Sequence, residues 1–116
     1  MSVDKAKAHY TGKNQSKRLN CAQAIIASYM DKFAMDEKTI NVFGSYGGGK
    51  APGGECGALY AAKFMLKDKH PDKIKDCEAA FSSFAGSTKC KEIRTLKKLP
   101  CLGCVEKAAE FIDTIK

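Results

Sequence analysis

The sequence predicts an all-α fold, a small bundle of about five to six helices with a glycine-rich loop. Three observations carry this. Apolar residues recur at helical rather than alternating spacing, Pro and Gly punctuate the chain between the periodic stretches, and cap-forming residues stand ahead of several of them.

Taken in order, a short amphipathic helix covers about Val3 to Thr11, and a second runs from Cys21 to about Ala34 with Asn20 as its cap. A short helix opens near Asp36 and fades at Gly44. The stretch from Ser45 to Gly54, with Gly47-Gly48-Gly49 and then Pro52-Gly53-Gly54, reads as a loop. A helix then begins near Glu55 or Cys56 and continues to about Lys69, where His70-Pro71 breaks it and Pro71 starts the next, to about Ala85. Gly86 ends that helix, Ser87 caps a short one through Thr95, and Pro100 opens the last, to Ile115.

A chain of 116 residues has the length of one domain and can bury a core without disulfides, so residues 1–116 read as a single helical domain. No apolar run approaches the roughly 20 residues a membrane span needs. Met1 to Arg18 is polar and charged without an apolar signal segment, which makes the cytoplasm the expected address. The net charge of +7 comes from lysines scattered along the chain, as at Lys63, Lys67, Lys69, Lys73 and Lys75, while Arg18 and Arg94 are the only arginines. Such scatter is a solvated surface and not a nucleic-acid footprint, which clusters, though an acidic redox partner protein suits it.

Six cysteines in a chain expected to be cytoplasmic point first to metal binding or catalysis. Cys21, Cys56, Cys90 and Cys101 each fall in the first turn of an expected helix, where amide groups and the positive end of the helix dipole favour a thiolate. Cys77 lies mid-helix with Ile74, Phe81 and Phe84 on its face and reads as a core residue. Cys104 shares a face with Ala108, Phe111 and Ile115, yet Cys101-Leu-Gly-Cys104 is also a dithiol or two-ligand spacing. The aromatic residues Tyr60, Phe64, Phe81, Phe84 and Phe111 fit a core.

Other chemistry finds little support. Gly44 to Ala51 satisfies G-x-x-x-x-G-K, but Ala51 lacks the hydroxyl that holds magnesium and Pro52 stands where the helix should open. The loop suits close backbone approach to a cluster or an anion, with Gly48, Gly49 and Gly57 as the candidate contacts. Glu55 reads as a helix-start carboxylate, with a local acid–base role as the sharper alternative.

Asn20-Cys21-Ala22-Gln23-Ala24, Gly54-Glu55-Cys56-Gly57-Ala58, Cys90-Lys91-Glu92-Ile93 and Cys101 before Val105 together resemble the redox-active protein family named for its C_GCAxxG_C_C signature. The resemblance runs from about Lys13 to the C-terminus. It implies a small helical redox protein, with an iron–sulfur centre in some relatives, and carries the four motif cysteines onto Cys21, Cys56, Cys90 and Cys101. Ala61 stands where the family has its last motif glycine, and Cys104 offers an alternative fourth site cysteine.

The expected function is therefore redox. The four cysteines either ligate an iron–sulfur cluster, whose thiolate count they match, or exchange electrons as dithiols. A structural zinc site without redox function, or a metal-free thiol–disulfide oxidoreductase, is the alternative.

Overall fold

The computed structural model describes residues 7, 10, 19–29, 37–46, 51–96 and 101–114. Its helices are α1 (Cys21–Ser28), α2 (Glu37–Phe43), α3 (Gly57–Lys69), α4 (Ile74–Ala85), α5 (Cys90–Leu96) and α6 (Cys101–Asp113), with 3₁₀ turns at Pro52–Gly54 and Pro71–Lys73. The all-α expectation holds: no strand forms among the described residues, and Glu55 and Lys89 share only an isolated antiparallel bridge. Lys7 and Tyr10 have helical backbone, while the rest of the expected first helix lies outside the described residues, as do Gly48, Gly49 and Pro100.

α1 is shorter than its apolar pattern predicts, ending at Ser28 instead of running to about Ala34. Its last turn tightens, the Tyr29 amide bonding to the Ile26 carbonyl at 3.2 Å, and the Tyr29 hydroxyl reaches the Ala109 carbonyl (2.7 Å) and Asp113 Oδ1 (2.8 Å) on α6. That anchorage, set by tertiary packing, outweighs the local helical preference.

At the other end of α1, Asn20 and Gln23 form a reciprocal capping box: the Gln23 amide donates to Asn20 Oδ1 at 2.7 Å and the Asn20 amide donates to Gln23 Oε1 at 3.2 Å. The same two side chains serve the end of α2. Asn20 Nδ2 donates to the Phe43 and Gly44 carbonyls and Gln23 Nε2 to the Ile40 carbonyl, reinforcing the end of α2, where the Phe43 carbonyl also accepts from the Tyr46 amide. Asn20→Ala is expected to cost about 1 kcal/mol through the lost cap, with more from the exposed carbonyls. A lowered urea midpoint at unchanged slope would register it, and an unchanged midpoint would contradict it.

The core is the mutual packing of α1, α3 and α6, with α4 laid across α3 and α6 and α2 against α1. Small residues bring these helices close: Ala22, Ala24, Ala58, Ala61, Ala62 and Ala109 are completely buried. Ala61, the departure from the family's glycine, is simply one of these core contacts. Ile25, Ile26, Leu59, Leu66 and Ile112 fill the remaining space, each contributing roughly 1.5–3 kcal/mol by burial.

Two aromatic positions correct the sequence reading. Phe81 is buried, but Phe84 is 53% exposed with Lys107 Nζ 4.4 Å above its ring, and Phe64 is 37% exposed. On α4 the buried stripe is Cys77, Phe81 and Ala85, so Phe84, three residues after Phe81, lies beyond its edge.

Pro71 opens a 3₁₀ turn that leads into α4 at Ile74, and Gly86 closes α4 in the left-handed conformation (φ 85°) that favours glycine. Ser87 does not cap as expected. α5 starts at Cys90, and the Ser87 hydroxyl instead accepts from the Lys89 amide and donates to Glu92.

Candidate redox site

The packing of α1, α3 and α6 brings their N-terminal ends together, and with them three cysteines. Cys21 is the first residue of α1, Cys56 is the N-cap of α3, and Cys104 lies in the first turn of α6. Cys56 is the hub, its thiol in hydrogen-bonding reach of both Cys104 and Cys21. Cys56 and Cys104 are buried and Cys21 is half-buried.

The main chain fixes Cys56 from both sides. Its amide donates to the Thr88 carbonyl at 2.8 Å, and its carbonyl accepts from the Tyr60 amide at 2.9 Å. The neighbouring Glu55–Lys89 bridge ties the segment before α3 to the segment before α5, which sets the start of the Cys90 helix alongside that of Cys56. Lys89 Nζ adds a 2.7 Å bond to the Gly53 carbonyl. Cys90 is half-buried at the first position of α5.

Gly57 explains why a residue without a side chain follows Cys56. A Cβ there would stand 2.6 Å from the Tyr46 carbonyl oxygen, 2.7 Å from Cys21 Sγ and 3.3 Å from Ala22 Cβ. Gly57 thus makes the room that lets Cys21 lie against the start of α3; its neighbours are this thiol and a carbonyl. Asn20 and Gln23 contribute from further back, because their bonds to the end of α2 fix the turn that delivers the Tyr46 carbonyl. The Asn-x-x-Gln spacing was the available signal for Gln23.

Electrostatics correct one expectation. A helix-start position was expected to lower a thiol pKa, yet Cys56 is pushed up to about 12. The main cause is the Cys104 sulfur, which holds the proton on Cys56; the Cys21 thiol works in the opposite sense, and burial raises the pKa further. The Leu59 amide on the next turn favours the ionised form, but it is the weakest influence and closes no capping bond.

Cys77 is the buried core cysteine that its position predicts. Burial is the main reason its pKa rises to about 12, with Lys63 opposing and Glu78 and Glu55 reinforcing. Glu55 itself is engaged as a structural carboxylate. Lys63 Nζ bridges Glu55 at 2.8 Å and Glu78 at 2.9 Å, linking the residue before Cys56 to α4. Burial disfavours the Lys63 ammonium, but the two carboxylates outweigh it and hold its pKa above the ordinary value.

The raised thiols make the fold less stable as pH becomes alkaline. At pH values below the ordinary thiol pKa of 9.0, Cys56 and Cys77 are protonated in native and unfolded chains alike, so their stabilising contribution is fully present. As pH rises from 9.0 toward about 12, the unfolded chain loses thiol protons that the native one keeps, and unfolding is favoured. The denaturant midpoint is expected to fall across that window and to fall less steeply in Cys77→Ala; identical slopes would contradict this assignment.

The Cys101 side chain lies outside what the structure describes, although its backbone opens α6. Among the described residues, no group of three or more Cys, His, Asp or Glu side chains is arranged to hold a metal ion. Of the described thiols, Cys21 and Cys104 lie in hydrogen-bonding reach of Cys56. Cys21, Cys56, Cys77, Cys90 and Cys104 are not joined to one another by disulfides.

A protein-family model described as Putative redox-active protein (C_GCAxxG_C_C) matches residues 19–115. The chain belongs to this family. No curated protein and no solved structure matches it. In this C_GCAxxG_C_C protein, three of the residues on which the resemblance was read meet in space: Cys56 is the hub, Gly57 the gap beside it, and Cys21 lies in the gap. Cys104, outside the four motif cysteines, takes the place on α6 beside Cys56. No helix among the described residues is long and apolar enough to cross a membrane.

Proposed function

We propose that this chain is a thiol–disulfide redox protein in which Cys21 attacks, Cys56 resolves and Cys104 supports Cys56. The observation that carries this reading is the contact of the Cys56 thiol with both Cys21 and Cys104 at the meeting point of three helix ends. Cys21 is half-buried at the first position of a helix, where amide groups favour thiolate, whereas Cys56 is buried and holds its proton.

The Cys21 thiolate attacks a disulfide sulfur, forming a mixed disulfide and releasing the first thiolate. Cys56, losing its proton, attacks Cys21 Sγ, closing a Cys21–Cys56 disulfide and releasing the second. Two electrons pass from the protein to the substrate, and the two released thiolates take up two protons. A partner protein with an acidic face suits the net charge of +7, and a reducing cytoplasm would regenerate the dithiol.

An iron–sulfur cluster or a tetrahedral zinc is the rival reading, with Cys101 or Cys90 joining the three central thiols to supply four thiolates. An ultraviolet–visible spectrum with iron, zinc and acid-labile sulfide assays on protein purified without oxygen separates the two. The proposal expects a colourless protein without stoichiometric metal and with a reversible two-electron thiol couple. Brown protein with iron and sulfide, or stoichiometric zinc, would overturn it.

A further inference from the structure

Cys104 takes no bond-making part in the exchange between Cys21 and Cys56, yet it lies within hydrogen-bonding reach of the Cys56 thiol, as Cys21 does. The middle sulfur therefore has thiol neighbours on two different helices, α1 and α6. Burial separates these neighbours. Cys104 is 3% exposed and Cys56 5%, whereas Cys21 is half-buried at the head of α1. Packing holds Cys104 where it is, since Val105 and Ala108 beside it are buried where α6 meets α1 and α3.

Thiol–disulfide exchange needs an attacking sulfur in reach of the sulfur it attacks, and access decides which sulfur that is. When Cys21 and Cys56 are joined, Cys56 still has Cys104 as its neighbour on α6. A thiol from solution meets that disulfide on its Cys21 side, while Cys104 meets it from within the core.

We propose that Cys104 is a third redox residue, which takes Cys56 over from Cys21 by internal exchange and so frees the attacking thiol in the oxidised chain. The inference rests on the dithiol reading above. Cys104 gives up its proton and its thiolate attacks Cys56 Sγ; the Cys56–Cys104 bond forms, the Cys21–Cys56 bond breaks, and Cys21 leaves as a thiolate. Cys21 can take up one proton for the one that Cys104 lost, and no electron enters or leaves the chain. The Cys21–Cys56 disulfide is the main form, and the exchanged one is a minor isomer in equilibrium with it. In that isomer the disulfide joins two buried sulfurs, and Cys21 is the thiol that reopens it.

The test traps the exchanged form. The full chain is oxidised with hydroxyethyl disulfide, freed of reagent and quenched in acid, and its cross-link is mapped by mass. The oxidised protein is then held with iodoacetamide in the absence of reductant. Alkylation of Cys21 blocks the return step, so even a minor isomer accumulates. The proposal expects Cys21 to become alkylated with time as the cross-link moves from Cys21–Cys56 to Cys56–Cys104, at a rate independent of protein concentration. Cys104→Ala should lose this alkylation and keep the Cys21–Cys56 disulfide, whereas Cys77→Ala, at a buried position away from the hub, should behave as wild type. The wild-type map decides the matter even if Cys104→Ala fails to fold. A wild-type Cys21–Cys56 disulfide that resists alkylation, or equal alkylation in Cys104→Ala, would overturn the role of Cys104 and leave the dithiol reading standing. Oxidation that joins Cys56 to neither Cys21 nor Cys104 would overturn both.

Discussion

Gly57→Ala is expected to lower stability by about 1–3 kcal/mol and to separate Cys21 from Cys56. The added Cβ would meet two atoms at once, the Tyr46 carbonyl oxygen at 2.6 Å and Cys21 Sγ at 2.7 Å. The first is backbone, held by the turn after α2; the second is on the first residue of α1, which Asn20 and Gln23 cap. Ala22 Cβ at 3.3 Å limits movement on a third side. The Tyr46 oxygen is backbone and cannot yield by a side-chain rotation, so the turn after α2 and the start of α3 must part, while Cys21 Sγ must turn away from Cys56. Urea unfolding should show the loss, and Cys21–Cys56 oxidation should slow more than the stability change accounts for. A variant with wild-type midpoint and oxidation rate would show that Cys21 does not lie against α3.

Cys56→Ser is the second large effect, because it removes the hub and leaves its surroundings nearly unchanged in shape. The intramolecular disulfide should be abolished. If Cys21 attacks first, treatment with hydroxyethyl disulfide should leave a stable mixed disulfide on Cys21, visible as an added mass that wild-type protein sheds as Cys56 resolves it. Cys77→Ala provides the contrast: that cysteine is wholly buried away from the thiol hub, so the couple should persist even as the fold weakens. Loss of the couple in Cys77→Ala with its retention in Cys56→Ser would reverse the assignment.

The helices were legible because their signals are local: Asn20 ahead of α1, Pro71 ahead of α4 and Gly86 after it each act within a turn. Where α1 stops was not, since Tyr29 is held by α6, some eighty residues away in sequence. Cys21 and Cys56 were legible as helix-start cysteines. The place of Cys104 was not, because what sets it beside Cys56 is the rotation of α6 about its own axis, and that follows from packing against α1 and α3. The raised Cys56 thiol was hidden for the same reason: a sequence reveals helix amides but neither burial nor a neighbouring sulfur. Glu55 looked like an ordinary helix-start carboxylate because its ion pair with Lys63 spans eight residues, outside the three- and four-residue spacing at which helical pairs are read.

The most direct test of the account is a thiol–disulfide titration of the purified chain in glutathione redox buffers, quenched with an alkylating reagent and mapped peptide by peptide. The account predicts one cooperative two-electron transition that protects Cys21 and Cys56 together as a single cross-linked pair, with Cys77 remaining a thiol throughout. A transition that leaves Cys56 reduced while other cysteines pair, or no transition at any buffer ratio, would contradict it.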